Sequence, residues 1–221
     1  TREIDLVEEI ARLYGYDRVP VTLPSAAVAP VRRDSKEIAA DRIREVFTGA
    51  GYTELVNYSF ISPTAPDALG LAADDPRRRF VRIANPLTEE QSVMQTTLIW
   101  GLLQTLVRNC RSGNTDLKLF EIGRLFFAGA AGELPRETDS VACLLTGSRY
   151  DDQWHFQELR ADFYDLKGVV EGLFKALGIG GVRFVSTDPE PFLHPGRACR
   201  IRIGDAQAGI LGEVHPELLE R

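Results

Sequence analysis

The sequence predicts an α+β fold in which a mainly antiparallel sheet is flanked by helices. The clearest strand pattern is the largely apolar run at residues 117–126. Further runs at 182–185, 198–203 and 209–214 follow one another at hairpin spacing, whereas helical patterns fall between the earlier segments. A doubly wound parallel sheet would alternate strands and helices throughout, so we expect antiparallel pairing.

The first third of the chain predicts a helix, an extended connection and a second helix. Apolar side chains recur at helical spacing from Ile4 to Tyr14. Residues 17–34 contain three prolines, a composition that blocks a helix and favours an extended linker. Ser35 is a suitable cap for a helix that continues to about residue 50.

The middle of the chain predicts short, mixed elements. Residues 52–60 predict a half-buried strand, because apolar side chains repeat at period two from Val56 to Phe60. Ser62 followed by Pro63 predicts the start of a short helix. The remaining predicted segments are strands at 80–84 and 141–146 and helices at 98–108, 162–177 and 216–221.

Composition excludes several classes of protein. The 221 residues carry 26 Lys and Arg against 32 Asp and Glu, a net charge of −6 that disfavours a basic nucleic-acid binder. No apolar run is long enough to span a membrane, and the first residues do not resemble a secretory signal. Cys110, Cys143 and Cys199 are too far apart to indicate a disulfide framework or a metal site, which favours a cytoplasmic location.

Three carboxylates of the first helix form a candidate metal site. Asp5, Glu8 and Glu9 stand at i, i+3 and i+4, so all three project from one helical face. Hard oxygen ligands in this arrangement suit Mg²⁺. The alternative is a solvated acidic face near a helix N-terminus, where the helix dipole favours negative charge.

Residues 191–197, Pro-Phe-Leu-His-Pro-Gly-Arg, form the most unusual segment. His194 and Arg197 could bind an anion or a carboxylate. The alternative is a rigid turn that leads into the next strand. The basic run at residues 77–79 and the pair Arg108 and Arg111 are interpreted as solvated surface rather than as an RNA groove.

Seven blocks in order resemble the β subunit of bacterial phenylalanyl-tRNA synthetases. Residues 3–17 resemble the end of the domain that precedes its catalytic-like module, and the other blocks resemble that module. Those six blocks are Asn85-Pro86-Leu87, Ser92-Val93-Met94, Leu119-Phe120-Glu121-Ile122-Gly123-Arg124, Phe163-Tyr164-Asp165-Leu166-Lys167-Gly168, residues 191–197 and Leu211-Gly212-Glu213-Val214-His215-Pro216-Glu217.

The resemblance implies a domain organisation and a division of labour. Residues 1–16 correspond to the C-terminal helix of the preceding domain, 17–34 to the linker and 35–221 to a module with the class II aminoacyl-tRNA synthetase fold. We expect the chain to be a piece of a longer subunit. The family enzyme is an αβ heterotetramer that activates phenylalanine with ATP and joins it to tRNA, and its catalytic site lies in the α subunit.

The resemblance also implies a catalytically silent module. Class II catalysis uses an Arg-x-Glu motif whose arginine stabilises charge on the α-phosphate of ATP. Residues 119–125 contain no Arg-x-Glu, so no catalytic and no substrate-binding residue is expected here. The expected partners are the α subunit and, through the holoenzyme, tRNA, with neither membrane nor DNA.

The family places Mg²⁺ on a carboxylate cluster whose positions match Asp5, Glu8 and Glu9. A fourth ligand would precede Asp5 by six residues, so we expect weak or absent metal binding by this piece. Gln95 and Trp100 depart from the family, which usually has Arg and Pro there.

Two other functions remain open at this point. An autonomous acyl-adenylate enzyme would gather His194, Arg197 and Arg124 in one cleft. A stand-alone amino-acid-binding or regulatory protein would reuse the fold without catalysis.

Overall fold

The computed structural model describes residues 2–23, 25, 32–130, 132–150, 154–155, 159–186 and 190–220. The chain divides into two compact units, Thr1–Asp34 and Ser35–Arg221. Part of the predicted linker, residues 24 and 26–31, lies outside the described residues.

The first unit contains the predicted opening helix, α1, at Glu3–Tyr14. Gly15 ends it with a positive φ of 100°, and a 3₁₀ turn follows at Tyr16–Arg18. The positive φ explains the glycine, because other residues rarely adopt this conformation.

The second unit contains five helices and eight strands among its described residues. The helices are α2 Ser35–Gly49, α3 Ala65–Ala68, α4 Ile99–Arg111, α5 Phe163–Ala176 and α6 Pro216–Leu219. The strands are β1 Thr53–Glu54, β2 Phe60–Ile61, β3 Val93–Met94, β4 Leu117–Phe127, β5 Arg136–Thr146, β6 Val182–Val185, β7 Leu193–Ile203 and β8 Ala206–Val214.

These strands form three sheets with predominantly antiparallel pairing. β4 and β5 make a continuous antiparallel ladder from Leu117↔Thr146 to Phe127↔Arg136, and the short β1 pairs parallel to β4. β6, β7 and β8 form a second antiparallel sheet, and β2 pairs with β3. The predicted α+β class is therefore confirmed.

The core lies between α2, α5 and the two larger sheets. Phe47 of α2 stacks on Phe120 of β4 with ring centroids 4.8 Å apart, and Leu173 of α5 completes this cluster. An adjoining face of α5, with Val170, packs on Cys199 and Ile201 of β7. Because each packing face is apolar, burial holds α5 between the sheets.

The predicted strand at 52–60 is wrong in its middle. The Leu55 N–H still donates to Phe120 O at 2.7 Å, as a paired strand would. The next pairing donor, the Asn57 N–H, instead meets the Glu121 side chain at 3.2 Å. The chain leaves the ladder there and forms regular pairs only at β1 and β2.

Two further local predictions need correction. Residues 80–84 contribute one isolated bridge, Arg82↔Val93, rather than a strand. Ser62-Pro63 opens a turn in which Thr64 N–H donates to Ser62 Oγ at 3.2 Å, so α3 starts only at Ala65. Among the described residues, no helix has the length and apolar character needed to cross a membrane.

Candidate functional site

The three carboxylates predicted to bind a metal all lie on α1, two of them already engaged. Asp5 Oδ2 accepts the Arg2 backbone N–H at 2.7 Å. Glu9 Oε2 pairs with Arg12 Nη2 at 2.6 Å. Glu8 is exposed to solvent on the same helix.

These contacts do not form a metal centre by themselves. Across the described part of the chain, no group of three His, Cys, Asp or Glu side chains is placed to hold a metal ion. Mg²⁺ requires near-octahedral oxygen ligands, and the carboxylates of Asp5 and Glu9 instead face a backbone amide and a guanidinium. Binding of Mg²⁺ by Asp5, Glu8 and Glu9 stays a prediction.

A buried polar network occupies the face of β4 that packs against α4. Glu121 is only 3% exposed. Its carboxylate accepts the Asn57 backbone N–H at 3.2 Å and Asn57 Nδ2 at 2.8 Å. Thr105 of α4 donates to Asn57 Oδ1 at 3.2 Å. This face of the strand is therefore filled by the protein's own side chains.

The neighbouring positions tighten the same packing. A Cβ on Gly123 would lie 2.7 Å from Leu98 Cδ2, so only glycine allows the start of α4 to approach the strand this closely. Gln95, 2% exposed, donates from Nε2 to Arg124 O at 2.9 Å. Gln95, one of the two departures from the family pattern, thus fastens the segment before α4 to β4.

Arg124 lies on the other face of β4, with Phe120 and Ile122. Its guanidinium pairs with Glu137 at 2.8 Å and with Asp139 at 3.0 Å, both on β5. Lys36 of α2 also binds Asp139, at 2.8 Å. The hydrogen bonds that Arg124 donates to Glu137 and Asp139 raise the pKa of Arg124, and those that Lys36 and Arg124 donate lower the pKa of Asp139.

In the unusual segment at 191–197 only residues 191 and 192 form a turn, and β7 begins at Leu193, five residues before the predicted strand. Gly196 N–H donates to His194 Nδ1 at 3.0 Å, and Arg197 pairs with Glu213 of β8 at 2.8 Å. The register of β7 against β8 is interrupted between Leu193 and Ala198. His194 has a local partner, as the turn interpretation predicted, whereas Arg197 is paired across the sheet.

The acyl-adenylate alternative required Arg124, His194 and Arg197 to share a cleft. Their recorded partners lie in separate places: on β5, within β7 and on β8. The two cavities described, of about 180 and 140 Å³, are lined by none of the three. Both cavities are below the ~300 Å³ typical of ligand pockets.

The basic run at 77–79 serves a structural role that the sequence interpretation missed. Arg77 binds Asp75 at 2.7 Å and Glu190 at 2.6 Å and lies over the Phe192 ring. Its hydrogen bond lowers the pKa of Asp75. Arg78 binds Asp67 at 2.7 Å. These two arginines join loops of the module, and the solvated-loop prediction is wrong for them.

Sequence reasoning also missed the Glu121 network and a row of arginines on the β6–β7–β8 sheet. Glu121 and Asn57 are 64 positions apart, so no local pattern connects them. Arg200 and Arg202 alternate along β7, but only the register places Arg183 beside them. The alternation itself was the available signal.

The fold defines a class of protein. A pyrrolysyl-tRNA synthetase from Desulfitobacterium hafniense matches 79% of this chain and 57% of its own with a TM-score of 0.57 at 14% identity. A second structure of that enzyme gives a TM-score of 0.55 at 15% identity, with coverages of 79% and 55%. The module thus has the fold of class II tRNA synthetases.

Within that class, the chain belongs to the family described as the phenylalanyl tRNA synthetase beta chain CLM domain, whose model matches residues 19–221. The phenylalanine–tRNA ligase β subunit of Syntrophus aciditrophicus is 53% identical over 220 residues, which cover 100% of this chain. That of Geobacter metallireducens is 45% identical over 217 residues, covering 98%. The chain spans 27% of the length of either relative.

Proposed function

We propose that the chain is the non-catalytic synthetase-like module of a phenylalanine–tRNA ligase β subunit and packs against a catalytic α subunit. The observation that carries the proposal is the family match over residues 19–221. In the holoenzyme, the α subunit would use ATP and phenylalanine, and this module would serve as a scaffold.

The chemistry of β4 supports the absence of catalysis in this module. An adenylate-forming site needs a cation directed at the ATP phosphates. On the α4-facing side, β4 presents the buried Glu121, whose carboxylate is engaged by Asn57. Arg124 lies on the opposite side and is paired with two carboxylates. The stand-alone amino-acid-binding alternative has no observation in its favour.

Pyrophosphate exchange tests the proposal. The 221-residue chain alone, with ATP, phenylalanine and Mg²⁺, should give no exchange above background. The full-length β subunit co-expressed with its α subunit should exchange, and full-length β alone should not. Exchange by the chain alone would exclude the silent-module proposal, and no exchange by the complex would exclude the ligase assignment.

A further inference from the structure

Three arginines form one face of the β6–β7–β8 sheet, here called the arginine face. Arg183 of β6 is directly opposite Arg202 of β7, and Arg200 lies two residues along β7 on the same side. The other side of this sheet, with Cys199 and Ile201, packs on α5. The arginine face is therefore the side turned away from α5, with Arg183 exposed and Arg200 and Arg202 half-buried.

The three arginines of the arginine face donate hydrogen bonds to uncharged acceptors, and only Arg200 has a carboxylate as close as 4.0 Å among the described residues. Arg183 and Arg202 donate to main-chain oxygens of Gly204 at 2.9 Å and Asp205 at 2.6 Å. Arg200 donates to the side-chain oxygen of Gln207 at 2.7 Å. All three acceptors are uncharged.

Neighbouring carboxylates do little to offset this charge. Glu190 comes no closer to Arg200 than 4.0 Å, because its other oxygen binds Arg77 at 2.6 Å. Like charges directly opposite in a sheet are destabilising. Arg202 Nε, moreover, is a buried donor without a partner among the described residues. The facing like charges cost stability, which points to an anionic ligand that offsets them.

We propose that the arginine face binds the phosphate backbone of tRNA, an inference that rests on the proposed function. A guanidinium offers a planar fork of donors that matches a phosphate group in two-point contact. Arg200 and Arg202 are two residues apart on one strand, roughly 7 Å along it. Arg183 extends the row onto the next strand, so the cations suit a ligand with repeated negative charges.

Charge complementarity selects this ligand over other contacts. The chain as a whole carries −6, which repels RNA, so a phosphate contact needs a local cationic surface. Arg77 and Arg78 cannot supply it, since Asp75, Glu190 and Asp67 already neutralise them. The arginine face keeps its positive charge.

The test compares two double variants of the full-length β subunit in complex with its α subunit. Arg183→Gln with Arg202→Gln removes two of the three charges of the arginine face, and Arg108→Gln with Arg111→Gln removes two exposed charges from the last turn of α4. Binding of tRNA is measured at several salt concentrations, and phenylalanine-dependent pyrophosphate exchange without tRNA is measured alongside. Arg183→Gln alone, at an exposed position, guards against misfolding.

We expect the arginine-face variant to bind tRNA about ten-fold more weakly, with a salt slope smaller by about 1 for each arginine removed. Arg183→Gln alone should reduce the salt slope by about half as much as the double variant does. The α4 variant should bind as wild type does, and exchange should be unchanged throughout.

Three results would overturn the inference. A wild-type salt slope in the arginine-face variant would exclude phosphate contacts. An equal loss of tRNA affinity in the α4 variant would indicate that binding depends on the overall charge of the subunit and not on the arginine face. Loss of the α subunit from the complex with an unchanged slope would identify an acidic protein partner. Failure of the wild-type complex to exchange would instead reject the proposed function.

Discussion

At the scale of single residues, Glu121 is the main polar element of the interior. Its carboxylate satisfies two donors of Asn57 in a site where water has little access. A buried donor that loses its acceptor costs about 1–3 kcal/mol. The residue thus serves the fold.

Replacing Glu121 with Ala should lower the free energy of unfolding by about 2–4 kcal/mol, because both Asn57 donors lose their acceptor. Glu121→Gln, which keeps one acceptor, should lose less. Urea unfolding measures both. Glu137→Gln is the matched control on β5: its ion pair with Arg124 is exposed, so the change should stay within about 0.5 kcal/mol. A Glu121→Ala protein as stable as this control would contradict the prediction.

The Cys143 thiol should make the stability of the folded chain depend on pH in the alkaline range. Burial raises the pKa of its thiol from 9.0 to about 12 in the folded chain. Between these values the unfolded chain has lost the proton and the folded chain keeps it, so stability is full below pH 9.0 and falls as the pH rises toward about 12.

The Cys143→Ala variant tests this contribution. Its free energy of unfolding should fall less steeply than that of wild type above pH 9.0, as denaturant unfolding at a series of pH values would measure. Burial also raises the pKa of Tyr52, and the neighbouring Cys143 adds to that rise, so the difference between the two proteins includes the coupling of these two groups. Parallel curves for the two proteins would show that the Cys143 thiol does not titrate in this way.

At the scale of elements, the β4–α4 contact depends on a glycine. Gly123→Ala would place a methyl group 2.7 Å from Leu98, so we expect a loss of about 1–3 kcal/mol in unfolding free energy. Gly172→Ala in α5 meets nothing within 4 Å and should stabilise the chain by about 0.5–1 kcal/mol. Thermal unfolding distinguishes these opposite signs, and equal shifts would disprove the close contact.

The carboxylates of α1 give a second prediction at this scale. Since Asp5 and Glu9 already have partners, titration of the 221-residue chain with Mg²⁺ should give no saturable heat at submillimolar concentrations. The variant Glu8→Gln provides the comparison and should behave identically. Tight binding that is lost in this variant would establish that Glu8 joins the other two carboxylates around a metal.

Elements were predictable where one local pattern decides them. The runs that became β4 and β6 were predicted from their own residues. The middle of residues 52–60 was not predicted correctly, because the Asn57 N–H donates to the carboxylate of Glu121, 64 positions away, instead of to a strand partner. Period-two spacing cannot reveal such a competitor.

In the candidate site, too, features set by a short segment could be predicted, and features set by tertiary contacts could not. The local contact of His194 and the missing Arg-x-Glu are properties of short segments and could be predicted. The ion pair between Arg77 and Glu190 and the pairing of Arg183 with Arg202 need the tertiary arrangement. Counting charged residues along the sequence therefore could not show which arginines are paired with carboxylates and which are not.

At the scale of the whole molecule, the chain is one part of a larger proposed assembly. It spans 27% of the length of the two relatives named above, so most of the surface that such a subunit offers lies elsewhere. A tagged full-length β subunit should retain its α subunit through purification, and mass determination in solution would measure the assembly. Recovery of β alone at micromolar concentration would contradict the proposed scaffold role.

The Glu121 network also has a dynamic consequence. The Asn57 N–H belongs to no helix or strand, yet it is bound to a carboxylate that is itself held between β4 and α4. Exchange of this proton with deuterium requires that packing to open, whereas an ordinary loop amide exchanges through small local fluctuations. Asn57 should therefore exchange as slowly as the centre of β4, making one amide in an irregular segment a reporter of the opening of the whole module.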